Sequence, residues 1–159
     1  MTTYDVIVIG SGIAGLNCAL RLADAGKRVA VVTKKRVAHT ATNHAQGGIA
    51  AVLSQLDSIE KHIADTLVAG AHHNNKRAVG YMVKQSAAAI ARLVELGVPF
   101  ATQEGKLLLT REGGHSERRI AFVSDYTGQA IEEVLVQRTR AHKNIQLFEH
   151  SFMSGEVDQ

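Results

Sequence analysis

The sequence predicts an α/β fold organised around a parallel βαβ unit, and three observations carry that expectation. Val6–Ile9 is an unbroken β-branched run, the pattern of a strand buried on both faces. Residues 13–25 follow with Leu16, Leu20 and Ala23 on one helical face and Gly26 as the stop. Residues 28–33 read RVAVVT, a second buried strand. Strand, helix and strand within about 30 residues form a βαβ unit, whose crossover is right-handed.

The later elements extend that unit. Residues 34–51 are rich in Thr, His, Asn, Gln and Gly and show neither a helical nor a strand period. A long ordered loop of this kind inside a compact domain is usually functional. Asp57 with Glu60 has the spacing of a capping box, which starts a helix that runs to about Val68. Residues 75–96 place Ala, Val, Leu and Ile at helical spacing and are closed by Gly97 and Pro99. Residues 106–109 form a short strand, and the polar, glycine-bearing residues 111–119 form a loop. Thr127–Ala141 is an amphipathic helix with Ile131, Val134 and Leu135 on one side. Ile145–Phe148 is a third strand. There are no internal repeats and no linker, so residues 1–159 read as a single domain.

Composition excludes several functions. The chain has 159 residues, of which 45% are hydrophobic and 21% charged, an ordinary globular balance. Aromatic residues make up only 4% and Trp is absent, which argues against a base-stacking surface. The net charge is only +3 and its one cluster is Lys34-Lys35-Arg36, so there is no electrostatic footprint for nucleic acid. The apolar run at the start is too short for a membrane span or a signal peptide and has no basic leader. The single cysteine, Cys18, precludes an internal disulfide and fits a reducing, cytoplasmic setting. Its neighbours in the first helix are apolar, so it reads as a packing residue. His72-His73 lacks the suitably spaced ligands of a metal site and either caps the preceding helix or faces solvent.

Chemistry enters at the first turn. Gly10, Gly12 and Gly15 form G-x-G-x-x-G directly between a strand and a helix, the context of a Rossmann-like dinucleotide site. The first glycine permits the turn, the second lets backbone approach phosphate, and the third packs helix on strand. The helix start supplies N–H groups for an anion. The acid that usually holds ribose at the end of the second strand is missing; Thr33 and Lys34 stand there. Lys34 is either a cofactor contact or a solvated strand end.

Two further loops stand out. Residues 42–48 read TNHAQGG, where Gly47-Gly48 allows a close approach and Thr42, Asn43 and Gln46 add polar groups; an ordinary surface loop is the competing reading. Residues 109–119 read LTREGGHSERR. Glu112 suits an ammonium group there, and Arg111, Arg118 or Arg119 suits a carboxylate; a solvated charged loop is the alternative.

Taken together, DVIVIGSGIAGLNCALRLADAG, AQGGIAAV, DSIEKHIADTLVAGA, LTREGGHSERRI and DYTG with its following helix resemble the L-aspartate oxidases. These are flavoproteins related to the fumarate reductase and succinate dehydrogenase flavoprotein subunits. The matching segments span about residues 5–148, and LTREGGHS is the piece specific to the oxidase branch. The resemblance implies an FAD-binding domain of the α/β class with a partial parallel sheet and added helices.

It also implies roles. Gly10, Ser11, Gly12, Ile13, Ala14 and Gly15 line the FAD pyrophosphate, and Lys34 lies near the adenosine ribose. Ala41, Thr42, Asn43, His44, Ala45, Gln46, Gly47 and Gly48 run along the isoalloxazine ring, and the Phe152 backbone sits by the adenine. Glu112 orients L-aspartate. The position five residues before Gln46, where the dehydrogenase branch carries a flavin-linking histidine, is Ala41, so FAD is held non-covalently. The reaction implied is oxidation of L-aspartate to iminoaspartate with oxygen or fumarate as acceptor, feeding quinolinate synthase and NAD biosynthesis. The competing readings are a fumarate reductase or succinate dehydrogenase piece and a non-catalytic nucleotide-binding remnant.

Two positions depart from the family pattern: Ala41 replaces a frequent serine, and Phe122 replaces a frequent histidine. The family continues well past Gln159, through further sheet strands, a capping domain, a second FAD motif, and the arginine and histidines that bind carboxylates and move the proton. The expectation is therefore an N-terminal portion with no catalytic acid or base of its own, an uncovered apolar sheet edge and no activity alone.

Overall fold

The computed structural model describes residues 3–154. Its contacts divide the chain into two compact units, residues 1–45 with 128–159, and residues 46–127.

The first unit holds the expected βαβ core. Strands β1 (Val6–Ile9), β2 (Val29–Val32) and β8 (Ile145–Phe148) form a parallel sheet in the order β1-β2-β8. The register pairs Val6 with Val29 and Val29 with Ile145. Helix α1 (Ile13–Asp24) joins the first two strands and buries Leu16, Ala19, Leu20 and Ala23. It ends in a Schellman motif: the Lys27 amide donates to Leu22 and the Gly26 amide to Ala23, with Gly26 at φ +82°. Helix α4 (Thr127–Ala141), whose first residue belongs to the second unit, buries Ala130, Ile131, Leu135 and Val136.

Two expectations fail in this unit. β1 is an edge strand, and Ile7 and Ile9 are 52% and 69% exposed. A β-branched run is the same whether it lies at the centre or at the edge of a parallel sheet, so composition could not distinguish them. Cys18 is exposed on α1, because a helix twelve residues long has an outward face even where its neighbours are apolar.

The second unit packs helices α2 (Ile59–Ala69) and α3 (Lys76–Leu96) together with short antiparallel strands. α3 buries Val79, Val83, Ile90, Leu93 and Leu96 along one stripe. It is capped by the Asn75 side chain, which accepts from the Ala78 amide at 3.0 Å, and it stops at Gly97 in the left-handed region. β3 (Ile49–Ala50), β7 (Ile120–Ala121) and β6 (Leu109–Thr110) form an antiparallel sheet in that order. β4 (Thr102–Gln103) and β5 (Lys106–Leu107) form a separate hairpin. The expected strand over 106–109 is thus two strands in two sheets: Lys106–Leu107 pair with β4, a pairing that the Leu108 amide to Ala101 extends, and Leu109–Thr110 pair with β7.

The start of α2 also differs from expectation. The cap is Ser58, whose hydroxyl accepts from the Lys61 amide at 3.2 Å. Asp57 does not cap the helix because its carboxylate is engaged by a buried arginine, described below.

Candidate cofactor and substrate residues

In the first unit the glycine turn has the geometry of an anion cradle. Gly10 sits at φ +101° and ties the turn to β2 through its amide to Val32, 2.9 Å. Gly12 is the extended N-cap of α1 and supplies no side-chain cap, and the first helical turn has no acid. The Ile13 amide donates to Thr42 Oγ1 at 3.2 Å, and the amides of Ala14 and Gly15 have no partner among the described residues. A helix start with unused amides and no competing carboxylate favours an anion. A Cβ on Gly15 would lie 2.1 Å from the Gly10 carbonyl oxygen, so helix and turn close only around glycine there.

Beside this turn lies a cleft of about 410 Å³. Gly10, Ser11, Lys34, Thr40 and Phe152 are among its lining residues. The structure therefore brings Lys34 and Phe152 to the glycine turn. Ser11 also reaches the cleft, but its hydroxyl points inward, donating to Val37 O at 2.8 Å and lying in hydrogen-bond reach of the Thr33 hydroxyl at 3.0 Å. Only its backbone can meet a ligand.

Ala41, Thr42, Asn43, His44 and Ala45 belong to the same unit. Thr42–His44 forms one 3-10 turn, with Ala41 as its N-cap and Ala45 as its C-cap. The Asn43 amide donates to Thr40 Oγ1 at 3.2 Å, and Gly128 of α4 abuts the turn. A Cβ on Gly128 would come within 2.1 Å of Thr42 O and 2.7 Å of Ala45 Cβ.

One turn further along α4 stands Glu132, which the sequence reading missed. It is fully buried, and neither carboxylate oxygen has a hydrogen-bond partner among the described residues. Burial raises it from 4.5 to about 6, with the nearby Thr40 hydroxyl opposing the rise. Its signal was positional: Glu132 is four residues after Gly128 and three before Leu135, on the buried stripe of α4.

In the second unit two of the three singled-out segments meet. The Glu112 carboxylate lies against Gly47, with Oε2 3.6 Å from where a Cβ would stand. Glu112 itself is exposed. Gly48 packs against β7 so closely that a Cβ would be 2.4 Å from Ala121 O. Gln46 precedes this pair and is exposed.

Arg119 is not available to a ligand, contrary to the sequence expectation. Its side chain is fully buried, with Nε and Nη2 donating to Asp57 at 2.8 and 2.7 Å and Nη1 donating to Asp65 at 2.5 Å. Burial alone would raise both carboxylates, but their hydrogen bonds outweigh it and hold Asp57 and Asp65 below the usual range. The same bonds raise Arg119 against its own burial. His62 is buried beside this group with Nδ1 unpartnered among the described residues. Burial first, then Arg119 and His115, lower its pKa. Arg111 and Arg118 remain exposed.

The pyrophosphate of a dinucleotide fits what these residues offer: unused helix-start amides, no first-turn acid, and a cleft flanked by lysines. Residues 5–155 match the FAD binding domain family, and the chain belongs to that family, whose cofactor is FAD. Its similarity runs further, to proteins named L-aspartate oxidase. The chain is 49% identical over 152 residues to L-aspartate oxidase 1 of Ralstonia nicotianae, covering 94% of this chain and 28% of that protein. It is 45% identical over 150 residues to the chloroplastic L-aspartate oxidase of Arabidopsis thaliana, covering 94% and 23%. Among solved structures, a quinol fumarate reductase of E. coli superposes with a TM-score of 0.86 at 29% identity, covering 92% of this chain and 26% of that one. The chain thus spans about a quarter of the length of these relatives. Among the described residues no helix is long and apolar enough to cross a membrane.

Proposed function

We propose that this chain supplies the dinucleotide-binding portion of an enzyme that oxidises L-aspartate to iminoaspartate. The observation that carries the proposal is the Glu112 carboxylate lying against Gly47, which joins the LTREGGHS loop to AQGG. The relatives named L-aspartate oxidase support it.

In this reading Gly10, Ser11, Gly12, Ile13, Ala14 and Gly15 hold the FAD pyrophosphate through backbone amides and the α1 dipole. Lys34 and Phe152 flank the adenosine end. The segment from Ala41 through Thr42, Asn43, His44, Ala45, Gln46 and Gly47 to Gly48 borders the flavin ring. Ala41 has no nucleophile, so attachment is non-covalent. FAD, when bound, supplies the two-electron acceptor for the substrate carbon–hydrogen bond. Glu112 pairs with the aspartate ammonium group and sets its orientation, and the proton-moving groups lie outside this chain. Oxygen or fumarate then takes the electrons. The product suits a quinolinate synthase as consumer, in the cytoplasm.

A chimera tests the proposal: this chain replaces the matching segment of the Ralstonia relative. The chimera should carry FAD that acid precipitation releases, and should release hydrogen peroxide with L-aspartate. Glu112→Gln should raise KM for L-aspartate about tenfold or more, the loss of one charge-assisted contact. Flavin that stays on the precipitated protein sinks the non-covalent assignment. An unchanged KM in Glu112→Gln sinks the role of Glu112.

A further inference from the structure

Residues 111–119 leave β6 and return on β7 as one excursion, closed at its neck by the Arg119 amide donating to Thr110 O at 3.1 Å. Halfway along, Ser116 donates both its amide and its hydroxyl to Asp65 Oδ2, each at 2.8 Å. The same oxygen accepts Nη1 of Arg119. One carboxylate oxygen of α2 therefore fixes the middle of the loop and its C-terminal root together. Between this pin and Glu112 lie Gly113 and Gly114, and Gly114 is at φ +81°. With two glycines in that interval, the backbone itself does little to confine the tip. The His115 amide to Glu112 O, 3.3 Å, is the further backbone bond across the tip.

We propose that Asp65 is the positioning residue for Glu112, holding its carboxylate against Gly47 by pinning Ser116. The importance of that placement rests on the reading of Glu112 as the substrate-orienting group. Asp57 has a different task. It takes two of the three bonds that Arg119 makes to carboxylates, at 2.7 and 2.8 Å, and keeps that guanidinium neutralised in the core when Asp65 is changed. Asp65 can thus be removed while the Arg119–Asp57 pair stays in place, whereas both Ser116 donors lose their one shared acceptor.

The experiment uses this 159-residue chain without cofactor. Amide hydrogen exchange and amide chemical shifts are recorded by NMR for the native chain, Asp65→Ala, Ser116→Ala and Glu112→Gln. At neutral pH the Gly47 amide shift should move when the carboxylate beside it is made neutral in Glu112→Gln. Asp65→Ala should raise exchange at residues 112–117 by about tenfold or more while α3 amides keep their protection, the signature of local opening. Adding Glu112→Gln to Asp65→Ala should no longer move the Gly47 shift, which a purely structural role for Asp65 would not produce. Ser116→Ala should give a smaller change of the same kind, since it leaves the amide bond to Asp65. Unchanged exchange at 112–117, or a Gly47 shift that still moves with Glu112→Gln in the Asp65→Ala background, overturns the proposal. Failure of the chimera's Glu112→Gln test would remove the substrate role and leave this positioning result standing.

Discussion

At the scale of single residues, two buried titratable groups pull stability in opposite directions with pH. Glu132 rises from its ordinary 4.5 to about 6, so its neutral form is favoured in the folded state. Its contribution is present at low pH and is lost as pH climbs through about 6. The rise of about 1.5 corresponds to about 2 kcal/mol, at 1.36 kcal/mol for each pH unit. Relative to the native chain, Glu132→Gln should therefore gain about 2 kcal/mol between pH 4 and pH 8 in urea unfolding. A pH-independent difference would show that the carboxylate is not desolvated. His62 is lowered, so its unfolded form binds a proton first and stability falls as pH drops below about 6.5. Asp57 and Asp65 are also lowered, and their contribution disappears only further down, as pH falls through the carboxylate range. Asp57→Asn leaves Arg119 buried with half its charge partners and should cost about 3–5 kcal/mol, far more than a surface ion pair such as Lys61–Glu117. None of this was visible in sequence. Asp57 had a plausible local use as a helix cap, and Arg119 a plausible external one as an anion ligand. Their 62-residue separation hides that each satisfies the other.

At the scale of elements, the long periodic segments were legible and the short ones were not. α3, α4, β2 and β8 lie within a residue or so of where pattern places them, since each carries its own apolar pattern and α3 is also closed by Asn75 and Gly97. β3, β6 and β7 are pairs of residues whose identity as strands comes from partners elsewhere in the sequence, and the β4–β5 hairpin is too short for a period to mark it. The ends of α2 yield two predictions. Ser58→Ala removes the acceptor for the Lys61 amide and should cost about 1 kcal/mol. At the other end α2 closes with a Schellman pattern, His72 amide to Leu67 and Ala71 amide to Val68, but with Ala71 at φ +48° where glycine is usual. Ala71→Gly should relieve the left-handed strain and raise stability by about 1 kcal/mol. Thermal unfolding of the two variants decides both, and a loss of stability in Ala71→Gly would mean that the strain is absorbed elsewhere.

At the scale of the whole molecule, the site was legible in part because its parts come from turns with strong residue requirements. Gly10, Gly15 and Gly48 each occupy a position that a side chain would block or strain, so the sequence had to declare them. Glu132 and Asp65 are defined only by what surrounds them, which a single sequence does not display. The same geometry bears on what the chain does alone. A drug-sized or larger ligand is held firmly when most of its surface is buried. The cleft beside the glycine turn is about 410 Å³, and Phe152 on its rim is 80% exposed. Ile7 and Ile9 leave a sheet face open to water, and the chain covers about a quarter of the relatives that it matches. FAD should accordingly bind this chain weakly enough to be stripped by desalting, and L-aspartate should release no hydrogen peroxide from it. In the chimera the same glycine turn should retain the flavin. Gly12→Val there should abolish that retention by pushing a branched side chain toward Thr42 Oγ1, 3.4 Å from the Cβ position, and across the helix start. A peroxide signal from the purified 159-residue chain, dependent on both FAD and L-aspartate, would show that these residues suffice for the chemistry.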